Sequence, residues 1–341
     1  MPALMYSEET LIGLYARLHR RSPDQRNAIN ETDAELIRLP GIVGPDGGET
    51  AVWLALTTDT VAEEIQMGLL NNPYTIGWFA VLAALSDLAA VGAVPIGLLM
   101  SYQLPDQLST GHFEQLVRGV EACAQAHQTY VLGGDTNQAE QLSVSATAIG
   151  TVPNGQFSRR IGCQAGDKLY VTPDVGRGNL LAFLNRFDHP MAEAFETQFR
   201  PVAPLALGQW IARNGSACLD TSDGLLAGLA LLLTLNPAIG FRMNASMVPY
   251  IAEIQVIVAK SGMLQSVFAL GQVGDYGLLF TAAAEQMPTG AVCIGEVTDE
   301  PGLWVNNRLF DYQDAAQRLN QSREPGQYLH QLTTLSHLFE S

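Results

Sequence analysis

Apolar positions along the chain follow two periods, about two and about 3.6 residues, and their alternation predicts strands and helices in turn. Leu11, Leu14 and Leu18 share one helical face that Ser7 is placed to cap, so a helix is expected through Arg21. A polar, glycine-rich stretch follows through Pro40 to Gly48. Residues 51–58 read as a strand ending at Asp59, and Pro73 suits the first turn of a long helix through the apolar run that begins at Ile76. Next come a buried strand over 95–103, an amphipathic helix over 112–127, and a short strand over 130–132 leading into Gly133-Gly134-Asp135-Thr136. Strict alternation over 142–150 predicts a half-exposed strand, and Pro153-Asn154-Gly155 marks a linker.

The pattern then resumes. A strand is expected over 168–172, helices across 178–187 and 202–213, a strand over 216–219 and a helix from about Gly224. Strands are expected at Phe268, 278–281 and 292–294, with a weakly patterned tail after Asn320. This order predicts an α/β chain with sheets of mixed strand direction, divided into an N-terminal unit (1–152), a linker (153–165), a C-terminal unit (166–320) and the tail (321–341).

Between Glu64 and Asp106 the only charged side chain is Asp87, in the middle of the apolar run. The run is long enough to cross a membrane, but Asp87, Pro95, Gly92 and Gly97 interrupt it and no Lys or Arg flanks it, so a core helix is expected. A carboxylate buried there needs a metal, a cation or several hydrogen-bond donors.

Composition narrows the choice of partner. A net charge of −16 argues against nucleic acid or an anionic membrane surface. Lys168 and Lys260 are the only lysines, so a phosphate-rich ligand must be met by arginine, backbone N–H groups or a divalent cation. Cys123, Cys163, Cys218 and Cys293 stand singly, which suggests neither a zinc site nor a disulfide framework. With a polar, amphipathic start rather than a signal-like one, a cytoplasmic location is expected.

Other aspartates stand in similar surroundings. Thr57-Thr58-Asp59, Ser86-Asp87-Leu88, Gly133-Gly134-Asp135-Thr136 and Asp220-Thr221-Ser222-Asp223-Gly224 each set a carboxylate among small or hydroxyl-bearing residues. Such groups are hard oxygen ligands and leave room for a phosphate to approach the backbone. Any one of them alone is an ordinary helix cap. As a set they predict one acidic, glycine-lined site for magnesium and a nucleotide, with no P-loop and no kinase-type His-Arg-Asp or Asp-Phe-Gly triplet to compete.

Taken with Gly162-x-x-x-Gly166-Asp167-x-x-Tyr170-Val-Thr172, with Ser216-Ala-Cys-x-Asp220-x-Ser222-Asp223-Gly224-Leu225 and with Gly274-Asp275-Tyr276-x-Leu278-Leu-Phe-Thr281, the ordered motifs resemble the aminoimidazole ribonucleotide (AIR) synthetase superfamily, and within it the thiamine-monophosphate kinases. The likeness runs from about Ala51 to Val305. It implies a two-domain, homodimeric, ATP-dependent enzyme with several magnesium ions. It further implies metal ligation by Thr57, Thr58, Asp59, Asp87, Asp135, Asp220 and Asp223, and nucleotide contacts by Gly134, Ser222 and one of Arg159 and Arg160. Asp59, Asp87, Asp135 and Asp223 are then the expected catalytic carboxylates, acting by positioning and charge neutralisation.

The departures from the family pattern are concentrated. Its Gly-Asp-Asp is matched only by Gly44-Pro45-Asp46, which makes Asp46 a candidate ligand. Its substrate-contacting histidine reads Gln66, and its substrate-contacting glutamate reads Gly274, beside Asp275. Phe310 and Tyr312 are the candidates for its C-terminal aromatic platform. The resemblance thus implies a phosphotransferase with an altered acceptor wall. The alternatives are another ATP-dependent activation of an amide or carboxylate, or a nucleotide-binding protein that has lost catalysis.

Overall fold

The computed structural model describes residues 22–28, 30–43, 49–286, 288–322 and 324–340. The helix expected through Arg21 and the candidate ligand Asp46 lie outside the described residues. The first sheet contains β1 (Glu35–Val43), β2 (Glu49–Thr60), β3 (Val94–Leu104), β4 (Val131–Gln138) and β5 (Ser143–Thr151) in the order β1-β2-β5-β3-β4. Only β3 and β4 pair in parallel.

Three helices connect these strands: α1 (Ala62–Gln66), α2 (Pro73–Val91) and α3 (Thr110–Ala126). Asn72 caps α2 by accepting from the Thr75 amide at 3.2 Å, Pro73 opens its first turn, and Gly92 ends it in the left-handed conformation at φ 78°. The helix is apolar all round because neighbours cover it all round. Backbone packs on backbone where α2 crosses α3: a Cβ on Gly77 would stand 2.0 Å from the Leu116 carbonyl oxygen, and one on Gly119 1.9 Å from that of Tyr74. Phe79, Leu82, Leu85 and Leu88 are at most 1% exposed, each worth about 1.5–3 kcal/mol of burial. Among the described residues α2 is the one helix long and apolar enough to cross a membrane, yet 89% of that window is buried in the protein.

The second sheet, in the order β12-β11-β8-β10-β6-β9-β7, contains β6 (Lys168–Val171), β7 (Gly215–Asp220), β8 (Gly240–Met243), β9 (Leu278–Ala282), β10 (Val292–Thr298), β11 (Gly302–Val305) and β12 (Arg308–Phe310). Helices α4 (Arg177–Arg186), α5 (Ala192–Gln198), α6 (Leu205–Asn214), α7 (Leu225–Leu235), α8 (Ile254–Ser261), α9 (Val267–Leu270), α10 (Tyr312–Gln321) and α11 (Pro325–Glu340) accompany it. The two sheets are joined through α2. Buried Glu196 of α5 accepts from the Asn71 and Asn72 amides at 2.7 and 2.8 Å, which holds the start of α2 against the second half.

Several expectations change. The polar stretch before Gly48 contains β1, which pairs with β2 on one side and bridges to Gln25 on the other; Leu36 is buried while Glu35 and Arg38 are exposed. β3 has several exposed positions rather than a wholly buried run, and β4 extends through Gly133, Gly134, Asp135 and Thr136 along the opposite edge. The apolar run at Phe268 is the short helix α9, because four buried residues do not reveal their period. The tail forms α11, whose Leu332, Leu335 and Phe339 are buried, with Phe339 set edge-on to Phe310 at 5.4 Å.

Candidate metal and nucleotide site

Strand alternation decides which members of Thr57-Thr58-Asp59 can act together. Thr57 and Asp59 point to the face of β2 that packs on α2, where the Thr57 hydroxyl donates to Asp87 Oδ2 at 2.5 Å. Thr58 points to the other face and meets Thr147 at 3.1 Å. Asp87 stands near the end of α2, one residue after Ser86, whose hydroxyl donates to Asp220 Oδ2 at 2.5 Å. Asp220 ends β7, and Ser222 donates to its other oxygen at 2.8 Å.

A further carboxylate completes the group. Asp33, just before β1, has ligand oxygens within 4.8 Å of those of Asp87 and Asp220. Its side chain is 1% exposed, Arg160 donates to Oδ1 at 3.0 Å, and Oδ2 has no hydrogen-bond partner. Asp59 Oδ2 and Glu64 Oε2 are likewise buried without a partner. Carboxylate oxygens gathered from β2, α2, β7 and the entry to β1, several of them unsatisfied, fit a hard divalent cation bound through oxygen.

The electrostatics agree with that fit. Burial, then the charges of Asp59, Asp220 and Asp33, push the Asp87 carboxyl well above the usual range. Burial and the Asp33 charge push Asp220 up to about 7, against the hydrogen bonds from Ser86 and Ser222. Asp59 is raised mainly by burial, with a hydrogen bond to Asp87 working against it. Glu64 is raised by burial and by the charges of Glu63, Asp59 and Asp223. A bound cation would remove the mutual repulsion that these shifts report.

Not every expected residue joins the group. Asp135 is level with Ser101 on β3, which is level with Ser145 on β5 and so with Thr60 on β2. Asp135 therefore lies three strand spacings, about 14 Å along the sheet, from that level of β2, on an exposed edge strand. It accepts from Asn137 at 2.6 Å, on the same outward face as Thr58. At Gly134 the backbone of β4 leaves no room for a side chain, since a Cβ there would be 1.8 Å from the Met100 carbonyl oxygen of β3. Asp223 is exposed in the turn before α7, near enough to Glu64 and Tyr276 for its charge to be felt by both.

The two arginines separate clearly. Arg160 is held by Asp33 and by Asn30 Oδ1 at 2.5 Å, so it serves the acid group itself. Arg159, half exposed, pairs with Glu31 at 3.1 Å and lies over the Phe157 ring.

The acceptor candidates also separate. Gln66 is exposed at the end of α1. Gly274 packs so tightly on the turn after β7 that a Cβ would stand 1.9 Å from the Ser222 carbonyl oxygen, so no side chain fits there. The Asp275 carboxylate accepts from the Gly176 and Gly178 amides, each at 2.9 Å, and so anchors the start of α4. Tyr276, left-handed at φ 55° and buried, sets its ring edge-on to Phe79 of α2. Phe310 is buried against Phe339, and Tyr312 lies beside Leu233 near the far end of α7 from Asp220, so neither forms a platform at the site. The aromatic ring beside the 272–276 loop is that of Tyr328 on α11, whose hydroxyl accepts from the Gln272 amide at 2.9 Å.

Asp33, Glu64 and Tyr328 are the residues that sequence reasoning missed. Asp33 sits in a polar stretch where its only signal is the alternation of buried Thr32, Ala34 and Leu36 around it. Glu64 lies in the stretch already marked as a departure, and Tyr328 in the unread tail.

Comparison with known proteins gives a consistent result. The profile of the AIR synthase related protein, N-terminal domain, matches residues 33–152. A thiamine-monophosphate kinase from Aquifex aeolicus is 27% identical over 265 residues, covering 76% of this chain and 86% of the relative. A thiamine-monophosphate kinase from Archaeoglobus fulgidus is 31% identical over 219 residues, covering 59% and 71%. A solved structure described as AaThiL complexed with AMPPCP and TMP superposes with a TM-score of 0.74 at 25% identity, covering 89% of this chain and 94% of that one. An E. coli HypE structure, at 18% identity and a TM-score of 0.63, shares the fold. With its motifs in order, its two mixed sheets and this extent of matching sequence, the chain belongs to the thiamine-monophosphate kinase family of AIR synthase-related proteins.

Proposed function

We propose that the chain is an ATP- and magnesium-dependent phosphotransferase that passes the γ-phosphoryl group to the phosphate of a small acceptor, with thiamine monophosphate the first acceptor to test. The observation that carries this reading is the set of buried, partly unsatisfied carboxylates Asp33, Asp59, Asp87 and Asp220. These carboxylates would hold magnesium, whose chemistry there would be to neutralise the charge of the transferring phosphoryl group. The protein's own part is positioning. Thr57, Ser86 and Ser222 fix the carboxylate oxygens by hydrogen bonds, Arg160 holds Asp33, and Asp223 and Arg159, both exposed, remain the residues offered to a nucleotide. A phosphate acceptor is ionised at neutral pH, so no histidine base is required.

A homodimer is part of the same reading. Val94, Ile96, Leu99, Val131 and Leu132 expose apolar surface along β3 and β4, a face suited to a second copy. Outward-facing Asp135 and Thr58 lie on that sheet surface, so a partner's site is where they would act. A cytoplasmic location fits an enzyme that draws on ATP and a phosphorylated metabolite. The deciding assay incubates protein, ATP and magnesium with thiamine monophosphate and looks for thiamine diphosphate. Absence of both diphosphate and ADP would end the kinase reading for this acceptor.

A further inference from the structure

Two segments leave the acid group side by side and end at the same cation. One is α1, which carries Glu64 toward Asp59 and Asp223 and, one helical turn or about 5 Å further on, ends at Met67. The other is the loop in which Gly274 lies on Ser222 and Gln272, two residues earlier, bonds to Tyr328. Arg186, at the end of α4, closes both. Its Nη2 lies 3.3 Å from Met67 Sδ, and its guanidinium carbon lies 5.9 Å from the centre of the Tyr328 ring.

Among the described residues Arg186 has no carboxylate partner, in a protein whose net charge is −16. A thioether and a ring face steer a guanidinium but leave most of its five N–H donors unused. A planar fork oriented in this way suits a carboxylate or phosphate and repels a ring that carries a positive charge.

The geometry points to Arg186, with Tyr328 and Met67, as the specificity-determining end of the acceptor site, binding an anionic group on the acceptor distal to the phosphate that receives the phosphoryl group. This assignment rests on the phosphotransferase reading and narrows its acceptor to a small molecule that is anionic at both ends. Gln66, next to Met67, and the bare backbone at Gly274 offer no carboxylate that would favour a cationic ring instead.

Three phosphate esters that share the thiazole phosphate and differ in ring charge test this by calorimetry on the whole protein saturated with magnesium and AMPPCP. They are thiamine monophosphate, with a cationic ring, hydroxyethylthiazole phosphate, with a neutral ring, and a carboxylated derivative of the latter, with an anionic ring. Wild type is expected to bind the carboxylated probe roughly tenfold or more tighter than thiamine monophosphate. Arg186→Gln should abolish that preference and Arg186→Glu should reverse it, with melting temperature and AMPPCP affinity unchanged. Tighter binding of thiamine monophosphate by wild type, an order of preference unaffected by Arg186→Gln, or no binding of any probe would each overturn the assignment. The expected order of binding without ATP turnover on any probe would leave the Arg186 assignment standing and sink the kinase reading.

Discussion

The two walls of the candidate site are built on opposite principles. The metal wall gathers carboxylates from separate elements, buries them, and fixes their oxygens through Thr57, Ser86 and Ser222. The proposed acceptor wall contains little that is ionic: Gln66, Met67, the backbone at Gly274, the ring of Tyr328 and the single guanidinium of Arg186. Buried charge must be satisfied by a fixed partner, so the metal wall tolerates little change. A wall made of side-chain ends and bare backbone can be rebuilt at small cost to the fold, and that is where acceptor choice is free to drift.

The largest effects should come from the metal wall. Asp87→Asn and Asp220→Asn are each expected to lower ATP turnover by about 10²- to 10³-fold, while the metal-free protein melts at an equal or higher temperature because mutual repulsion is relieved. Wild-type turnover together with a lowered melting temperature would make these residues structural. On the acceptor wall, Gly274→Ala places a Cβ against the Ser222 carbonyl oxygen and is expected to cost about 1–3 kcal/mol of stability in denaturant titration. No loss of stability would mean that the loop yields and that the wall is not closed there.

The pH dependence sharpens the contrast. Asp220 lies at about 7 and Asp275 at about 6, both raised above their unfolded values, so their contribution to stability is present at low pH and is lost as pH rises through these values. The metal-free protein should therefore become less stable as pH rises from about 4 to about 7, and magnesium should reverse that trend while releasing protons. Calorimetry in two buffers of different ionisation enthalpy measures the release, and none at pH 7 would argue against a metal at Asp220. The smallest effect is expected at Glu64, beside the group rather than within it. Glu64→Gln should weaken magnesium binding only a few-fold, by roughly 1 kcal/mol. A loss as large as that of Asp87→Asn would make Glu64 a full member of the metal wall.

How legible this was in the sequence differed from residue to residue. Asp87 declared itself because one charge in an apolar helix must be paired, and Asp220 and Asp59 because they stand where strands end among small polar residues. Asp33 carried no such mark, being one acid in a polar stretch. Thr58 and Asp135 were marked as strongly as Asp59, yet they point to the outer face of the sheet. Phe310 and Tyr312 were plausible aromatics by position, whereas Tyr328 reaches the loop because α11 folds back over the second sheet.

By itself the sequence determined the alternation of strands and helices, the apolar central helix, the motif order and the need for a partner to Asp87, because each follows from local periodicity or from the cost of burying a charge. Only the tertiary structure decided which carboxylates come together, that Arg160 serves Asp33, and that Arg186 lies between Met67 and Tyr328. Those are contacts between residues up to 187 positions apart, such as Asp33 and Asp220. They depend on strand pairing and helix crossing, which no local stretch of sequence encodes.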